Sequence, residues 1–304
     1  MQELVRVSLD AMGGDFAPQV TVQGAVEAVQ QKDNVKVFLV GLPDAIEAEL
    51  SKYTYDKDRI EVVAASEVIE MAEPPVMAIR RKKDSSIVVG LNLVKNGQAD
   101  AFVSAGSTGA VLVGGQLVVG RIKGVERSPL ATLFPTEKGV SLLVDCGANV
   151  DVRSSHLVQF AKMGSVYMEH FVGVSNPKVA IVNNGAEEEK GNALVKETFP
   201  LLKECGDINF TGSIEARDIP AGAADVIVCD GFVGNCLLYT SCWCWRYWWG
   251  CWQIRWAVPV GRAARLRIRK MAVIFAILFP MKAGTPFPMR SSLRWIAMRT
   301  AMCC

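Results

Sequence analysis

Between Val5 and Val228, short apolar runs alternate with amphipathic stretches, and this alternation limits the possible folds more than any other feature of the sequence. Val5–Leu9, Val35–Val40 and Arg59–Ala65 read as strands. So do Ala99–Ser104, Ala131–Pro135, Val140–Val144, Lys178–Val182, Ile208–Thr211 and Asp225–Val228. Between them, Thr21–Gln31 places Val22, Ala25, Val26 and Val29 on one helical face. Asp44–Leu50, Ser85–Asn96 (closed by Gly97), Gly109–Gly120, Leu157–Val172 and Asn192–Cys205 are further helix patterns. Strands that alternate with helices imply βαβ units and a largely parallel sheet. The expected fold is therefore α/β, a mostly parallel sheet with helices on both faces. Ligands of such folds bind beyond the carboxyl ends of the strands.

Several of those strand ends are rich in glycine and polar residues. Asp10-Ala11-Met12-Gly13-Gly14-Asp15 follows the first strand. Its glycines permit a tight turn or a close ligand, and its carboxylates can cap, bind a cation or orient a lysine. Ser104-Ala105-Gly106-Ser107-Thr108-Gly109 runs into a helix, where free N–H groups and the macrodipole favour an anion. Ordinary capping by Ser107 or Thr108 is the competing reading, and the segment is neither a Walker loop nor a full dinucleotide fingerprint. In Asp145-Cys146-Gly147-Ala148-Asn149-Val150-Asp151, Asp145 ends an apolar strand, where a carboxylate is costly unless paired. Cys146 reads as a buried inert thiol, because sequence places neither His156 nor His170 as its base. In Asn183–Asn192, Lys190 is either an anion clamp or one charge of a solvated acidic loop. Asp230–Asn235 closes the last strand in the same manner.

The charge balance narrows the function classes. The chain carries 33 Lys/Arg and 31 Asp/Glu, but residues 231–304 hold eleven Lys/Arg and no acid. The preceding residues therefore carry 22 basic against 31 acidic side chains, which argues against a general nucleic-acid binder. Two histidines leave little room for His-rich metal sites, and no metal site is expected. A signal peptide and a membrane-spanning helix are not expected either: MQELVRVSLD lacks the charged and apolar regions of a leader, and no run of 18 apolar residues occurs. The segment 236–304 breaks the pattern. It holds all seven Trp and six of the nine Cys, without a period of 2 or 3.6. An ordinary domain carries about 12% Asp plus Glu. This composition is expected of a shifted reading frame or of foreign sequence joined near Asn235, and a membrane-surface segment is the rival. The expected organisation is one α/β catalytic domain over 1–235, incomplete at its C-terminal end, followed by that tail. Arg80-Arg81-Lys82-Lys83 is a dense basic run in an acidic region, fit either to dock an acidic partner or to solvate a helix face. Arg121, Lys123 and Arg127 form a looser group.

Eight segments occur in a fixed order: DAMGGD, EPPVMAIRRKKDSS, SAGSTGA, VGRIKGVERSPLA, LVDCGANVD, NGAEEEKGN, EARDI and DGFVGN. Together they make residues 4–235 resemble the phosphate acyltransferase family of bacterial phospholipid synthesis (PlsX). The resemblance implies a three-layer α/β/α Rossmann-like fold related to isopropylmalate dehydrogenase and phosphotransacetylase. It implies transfer of a long-chain acyl group from acyl carrier protein to inorganic phosphate, without a cofactor. A cytoplasmic homodimer peripherally associated with the membrane is implied as well. By the same resemblance Lys190 and Asn235 are the catalytic candidates. Asp10, Gly13, Gly14, Ser104, Gly106, Ser107, Thr108, Gly109, Asn149 and Asn192 are candidates for binding substrate or phosphate. Arg80, Arg81, Lys82, Lys83, Arg121 and Lys123 are candidates for docking the acidic carrier protein. The family's ordinary C-terminal segment is replaced here by the Trp/Arg tail. Two alternatives stand beside this reading: a decarboxylating dehydrogenase on a related fold, and an inactive remnant that binds carrier protein or membrane.

Overall fold

The computed structural model of the chain describes residues 4–240. They fall into two compact units divided between Lys123 and Gly124. The expected tail lies outside the described residues from position 241 onward, while its first residues, 236–240, continue a helix that starts at 231.

The first unit is built on a four-stranded, fully parallel sheet of order β3-β2-β1-β4. Its strands are β1 (Val5–Asp10), β2 (Val35–Gly41), β3 (Ile60–Ala64) and β4 (Ala101–Val103). Alternation along the strands divides the core in two. Val5, Val7 and Leu9 join Val35, Val37 and Leu39 beneath α1 (Gln19–Gln31) and α2 (Pro43–Leu50), which supply Val22, Val26, Val29, Ile46 and Leu50. Phe38 and Phe102 face the opposite side. There they meet Ile79 of α3 (Pro75–Arg81), Ile87 and Leu91 of α4 (Ser86–Lys95), and Ala110 and Val111 of α5 (Thr108–Gly114). Covering both faces explains why the strands are continuous apolar runs. The periodicity reading missed α3. Pro74 and Pro75 interrupt the pattern there, although a proline in the first turn is a normal way to start a helix. After α5 the chain continues as a π-helical turn, Gly115–Val119, and stops at Gly120 with φ +98°.

The second unit holds a five-stranded sheet of order β5-β6-β9-β7-β8, parallel except for the β5–β6 hairpin. Its strands are β5 (Ala131–Thr136), β6 (Gly139–Val144), β7 (Lys178–Val182), β8 (Asn209–Ile214) and β9 (Val226–Val228). Leu142, Val144, Val179, Ile181, Val226 and Val228 pack against Leu157, Phe160 and Ala161 of α6 (Ser154–Tyr167) and Phe199 and Leu202 of α7 (Ala193–Lys203). The α/β class read from the sequence holds, with the strands divided between two sheets. Among the described residues, no helix is long and apolar enough to cross a membrane.

The first unit offers a direct test of its packing. Ser8 is fully buried, and its Oγ has no hydrogen-bond partner. A Cβ on Gly90 would lie 2.9 Å from that oxygen and 2.5 Å from the Phe102 ring. An unpaired buried hydroxyl is a net cost, so Ser8→Ala should stabilise the protein by about 1 kcal/mol. Gly90→Ala overfills the same space and should destabilise by roughly 1–3 kcal/mol. Urea-unfolding midpoints should move in opposite directions for the two variants, and a lower midpoint for Ser8→Ala would contradict this account.

Candidate functional site

In the first unit, β1 and β4 are neighbours, so the loops leaving their carboxyl ends are neighbours too. Asp10 is fully buried. Its Oδ2 accepts from Ser104 Oγ at 2.7 Å and its Oδ1 from Met12 N–H at 3.1 Å. Ser104 Oγ in turn accepts from Gly106 N–H at 3.0 Å. The glycines follow from this closeness. A Cβ on Gly13 would lie 2.5 Å from Asp10 Oδ2 and 2.7 Å from the Gly106 nitrogen. A Cβ on Gly106 would sit 3.3 Å from the Gly13 Cα. The structure thus joins Asp10, Gly13, Ser104 and Gly106 in one cluster, with Gly14 in the left-handed region at φ +104°. Ser107 is buried and caps α5, accepting from Ala110 N–H. Gly109 abuts Pro75 of α3, where a Cβ would lie 2.7 Å from the proline ring. Thr108 opens α5 beside them.

The basic run divides when folded. Lys82 Nζ turns back to Glu73 at 2.5 Å and to the Val68 carbonyl, which ties down the loop before α3. Lys83 Nζ donates to the Ile79 carbonyl. Arg80 and Arg81 are exposed on the last turn of α3, and Arg121 and Lys123 are exposed near the end of the unit.

In the second unit, β6, β9 and β7 are adjacent, which gathers three loops at one edge of the sheet. Asp145 leaves β6 fully buried. Its Oδ1 accepts from the N–H groups of Leu130 (2.9 Å), Gly147 (3.2 Å) and Ala148 (3.0 Å). Its Oδ2 accepts from Asn149 N–H and Asn149 Nδ2, both at 2.8 Å. The Asn149 amide donates also to the Ser128 carbonyl, so its side chain supports the loop from a buried position. The helix spanning 231–240 begins against this loop. Gly231 N–H donates to the Asn149 carbonyl at 2.8 Å, and Gly234 lies on the Asp145 carbonyl with no room for a Cβ. Asp230 caps the helix through the N–H groups of Phe232 and Val233. Asn235 is exposed and lies beside Gly147, whose Cβ would be 3.8 Å from that of Asn235.

The loop after β7 carries Lys190. Buried Asn183, which the motif reading did not single out, organises it. Asn183 Oδ1 accepts from Asn184 N–H at 2.8 Å, and its Nδ2 donates to the Lys190 carbonyl and to Ser213 Oγ. An amide directly after an apolar strand was the available signal. The Lys190 stem lies over Gly185, where a side chain would collide with it. Lys190 Nζ, half exposed, pairs with Glu187 at 2.8 Å. Glu188 pairs with Lys203 at 2.8 Å. Two of the three exposed loop acids therefore hold cations. The hydrogen bond and charge of Glu187 push the Lys190 ammonium above the ordinary lysine value, and Lys190 holds Glu187 below the usual carboxylate range. Asn192 caps α7 through Val195 N–H at 2.9 Å.

Cys146 is buried, donates to the Leu143 carbonyl, and is pushed up to about 12 by burial and the charge of Asp145. Burial raises Cys229 as well. His156 is buried, accepts from Arg153 N–H at 3.1 Å through Nδ1, and lies 3.0 Å from Glu126 through Nε2, at the start of α6. Its ring nitrogens are thus engaged by Arg153 and Glu126. Among the described residues, no group of His, Cys, Asp and Glu is placed to hold a metal ion.

Burial raises the Asp10 carboxyl above its ordinary 3.8, and the Ser104, Ser86, Met12 and Gly13 hydrogen bonds offset only part of that. The charged form is therefore disfavoured in the folded state. Its cost is present in full above the folded pKa and is relieved as pH falls through that value. Asp10→Asn keeps an acceptor for Met12 and removes the charge. It should melt higher than the parent at pH 7–8, with the gap closing toward pH 4. A gap that widens on acidification in calorimetric scans would contradict the buried charge.

The family model described as "Fatty acid synthesis protein" matches residues 5–244. A phosphate acyltransferase of Alkaliphilus oremlandii is 56% identical over 234 residues, covering 77% of this chain and 69% of that protein. A phosphate acyltransferase of Clostridium novyi is 51% identical over 234 residues, covering 77% and 70%. Among solved structures, a phosphotransacetylase from Streptococcus pyogenes superposes with a TM-score of 0.58 at 18% identity, covering 76% of this chain and 79% of its own. EutD phosphotransacetylase from Staphylococcus aureus superposes with a TM-score of 0.56 at 20% identity, with the same coverage. At those identities the structural likeness is one of fold. The identity to the curated relatives and the match across both units show that the chain belongs to the phosphate acyltransferase family of enzymes.

Proposed function

We propose that this chain transfers a long-chain acyl group from acyl carrier protein to inorganic phosphate, releasing acyl phosphate for phospholipid synthesis. The observation that carries the reading lies in the second unit. A half-exposed ammonium, Lys190, and an exposed amide, Asn235, leave the carboxyl ends of the adjacent strands β7 and β9.

The chemistry asks little of the protein beyond placement. A phosphate oxygen attacks the thioester carbonyl and forms the new O–C bond. The tetrahedral intermediate collapses, the C–S bond breaks, and the thiolate of the carrier's prosthetic arm leaves and takes a proton. No protein nucleophile is required, which suits a chain whose Cys146 and Cys229 thiols are buried and raised. Lys190 neutralises charge on phosphate or on the oxyanion, and the Asn235 amide donates to the oxyanion. Glu187 pairs with the Lys190 ammonium and is the partner that phosphate must displace or share. Asp10, Gly13, Gly14, Ser104, Gly106, Ser107, Thr108 and Gly109 are assigned to substrate or phosphate binding, with Asn149 and Asn192 supporting the second unit's loops. Exposed Arg80 and Arg81, with Lys83, Arg121 and Lys123, are assigned to the acidic carrier protein. Lys82 has a smaller part there, because Glu73 already holds it. A cytoplasmic homodimer that meets the membrane peripherally completes the proposal.

Phosphate-dependent thiol release from acyl carrier protein tests it in the full chain. Lys190→Ala and Asn235→Ala should each lower turnover by about 10²–10³-fold, the scale of one lost oxyanion donor. Melting should be little changed, since both groups are solvent-exposed. Full activity in either variant removes that residue from the site. Tight carrier-protein binding without thiol release by the parent chain would replace the enzymatic reading with a binding remnant.

A further inference from the structure

We infer that Asp145 is a positioning residue for Asn235, holding that amide in place through the loop 147–149; the inference rests on the catalytic role proposed for Asn235. A carboxylate with no solvent contact is tolerated only when its lone pairs are filled, and Asp145 takes five hydrogen bonds from four residues. Four of the five come from Gly147, Ala148 and Asn149, so the carboxylate sets the curvature of that loop. The loop's outer face receives the helix that carries Asn235. The Asn149 carbonyl takes the Gly231 N–H, the Asn149 backbone excludes any side chain on Gly231, and the Asp145 carbonyl excludes any on Gly234. Gly147, at φ +130°, leaves the Asn235 side chain resting beside a bare Cα. Asp145 touches no solvent, so its carboxylate acts through the groups that donate to it. A shift of the loop is passed to Asn235 through this direct contact at the start of its helix, and catalysis by placement is sensitive to such shifts.

The test is a double-mutant cycle in the full chain. Asp145→Asn turns an NH₂ toward the two donors of Asn149 and displaces the loop. Its kcat should fall by about 10²-fold per folded molecule, with the phosphate KM changed less than about threefold. In the Asn235→Ala background the same substitution should cost nothing further, since the group it positions is already gone. Asn149→Ala removes one of the five hydrogen bonds and serves if Asp145→Asn does not fold. Its loss should be smaller, about tenfold, and should likewise vanish in the Asn235→Ala background. A purely structural carboxylate would lower the melting temperature and leave kcat per folded molecule unchanged. That result, or losses that multiply with Asn235→Ala, would overturn the positioning role while leaving Asn235 catalytic. Full activity in Asn235→Ala alone would overturn the catalytic reading, and this inference with it.

Discussion

A carboxylate sealed from water must find its hydrogen bonds inside the protein, and much of the second unit's candidate site follows from how Asp145 finds them. Its five donors lie on the segment that leaves β6 and on Leu130, which leads into the hairpin partner β5. Satisfying the charge therefore folds the loop 147–149, and the folded loop supplies the surface on which the helix 231–240 begins. The glycines at 231 and 234 are required by that contact, because a Cβ at either would meet the backbone of Asn149 or Asp145. One buried charge thus links the end of β6 to the residue that follows β9.

The first unit is organised around a second buried carboxylate, Asp10. Hydroxyls and two backbone N–H groups offset its burial only in part, and its carboxyl is raised. Close backbone approach again explains the sequence: Gly13 and Gly106 face each other across Asp10 and Ser104. Gly109 has a different reason, since it lies under Pro75 of α3. A Gly-rich loop beside a helix start is therefore partly a packing solution here. Its N–H groups are a consequence of the close approach as much as a cause.

The proposed chemistry matches a protein that invests in placement. Lys190 is held at three points: its carbonyl by Asn183, its stem over Gly185 and its ammonium by Glu187. Asn235 is held by its helix. Both side chains stay accessible while their backbones are constrained, which is what electrostatic catalysis on an incoming phosphate needs.

Much of the fold was legible in the sequence because helix and strand periods are local. Lys178–Val182 coincides with β7, and Val5, Val35 and Ala131 begin the strands expected to start there. The need of Asp145 for partners was legible because an acid after an apolar strand is costly unpaired, and capping by Ser107 stood as one of two readings of its loop. The motifs were enough to name the family. What a linear reading could not supply was pairing across distance. It did not divide the strands between two sheets, insert β9 between β6 and β7, or bring Gly13 against Gly106. It left open whether Lys190 stands alone or shares its charge with Glu187, and it treated Arg80–Lys83 as one patch where Lys82 folds back onto Glu73. The sequence by itself determined most of the elements, the need of Asp145 for partners, and the family. Tertiary structure alone decided which loops share a sheet edge and which charges are already paired, because sheet order and ion pairing join residues that local periodicity does not connect.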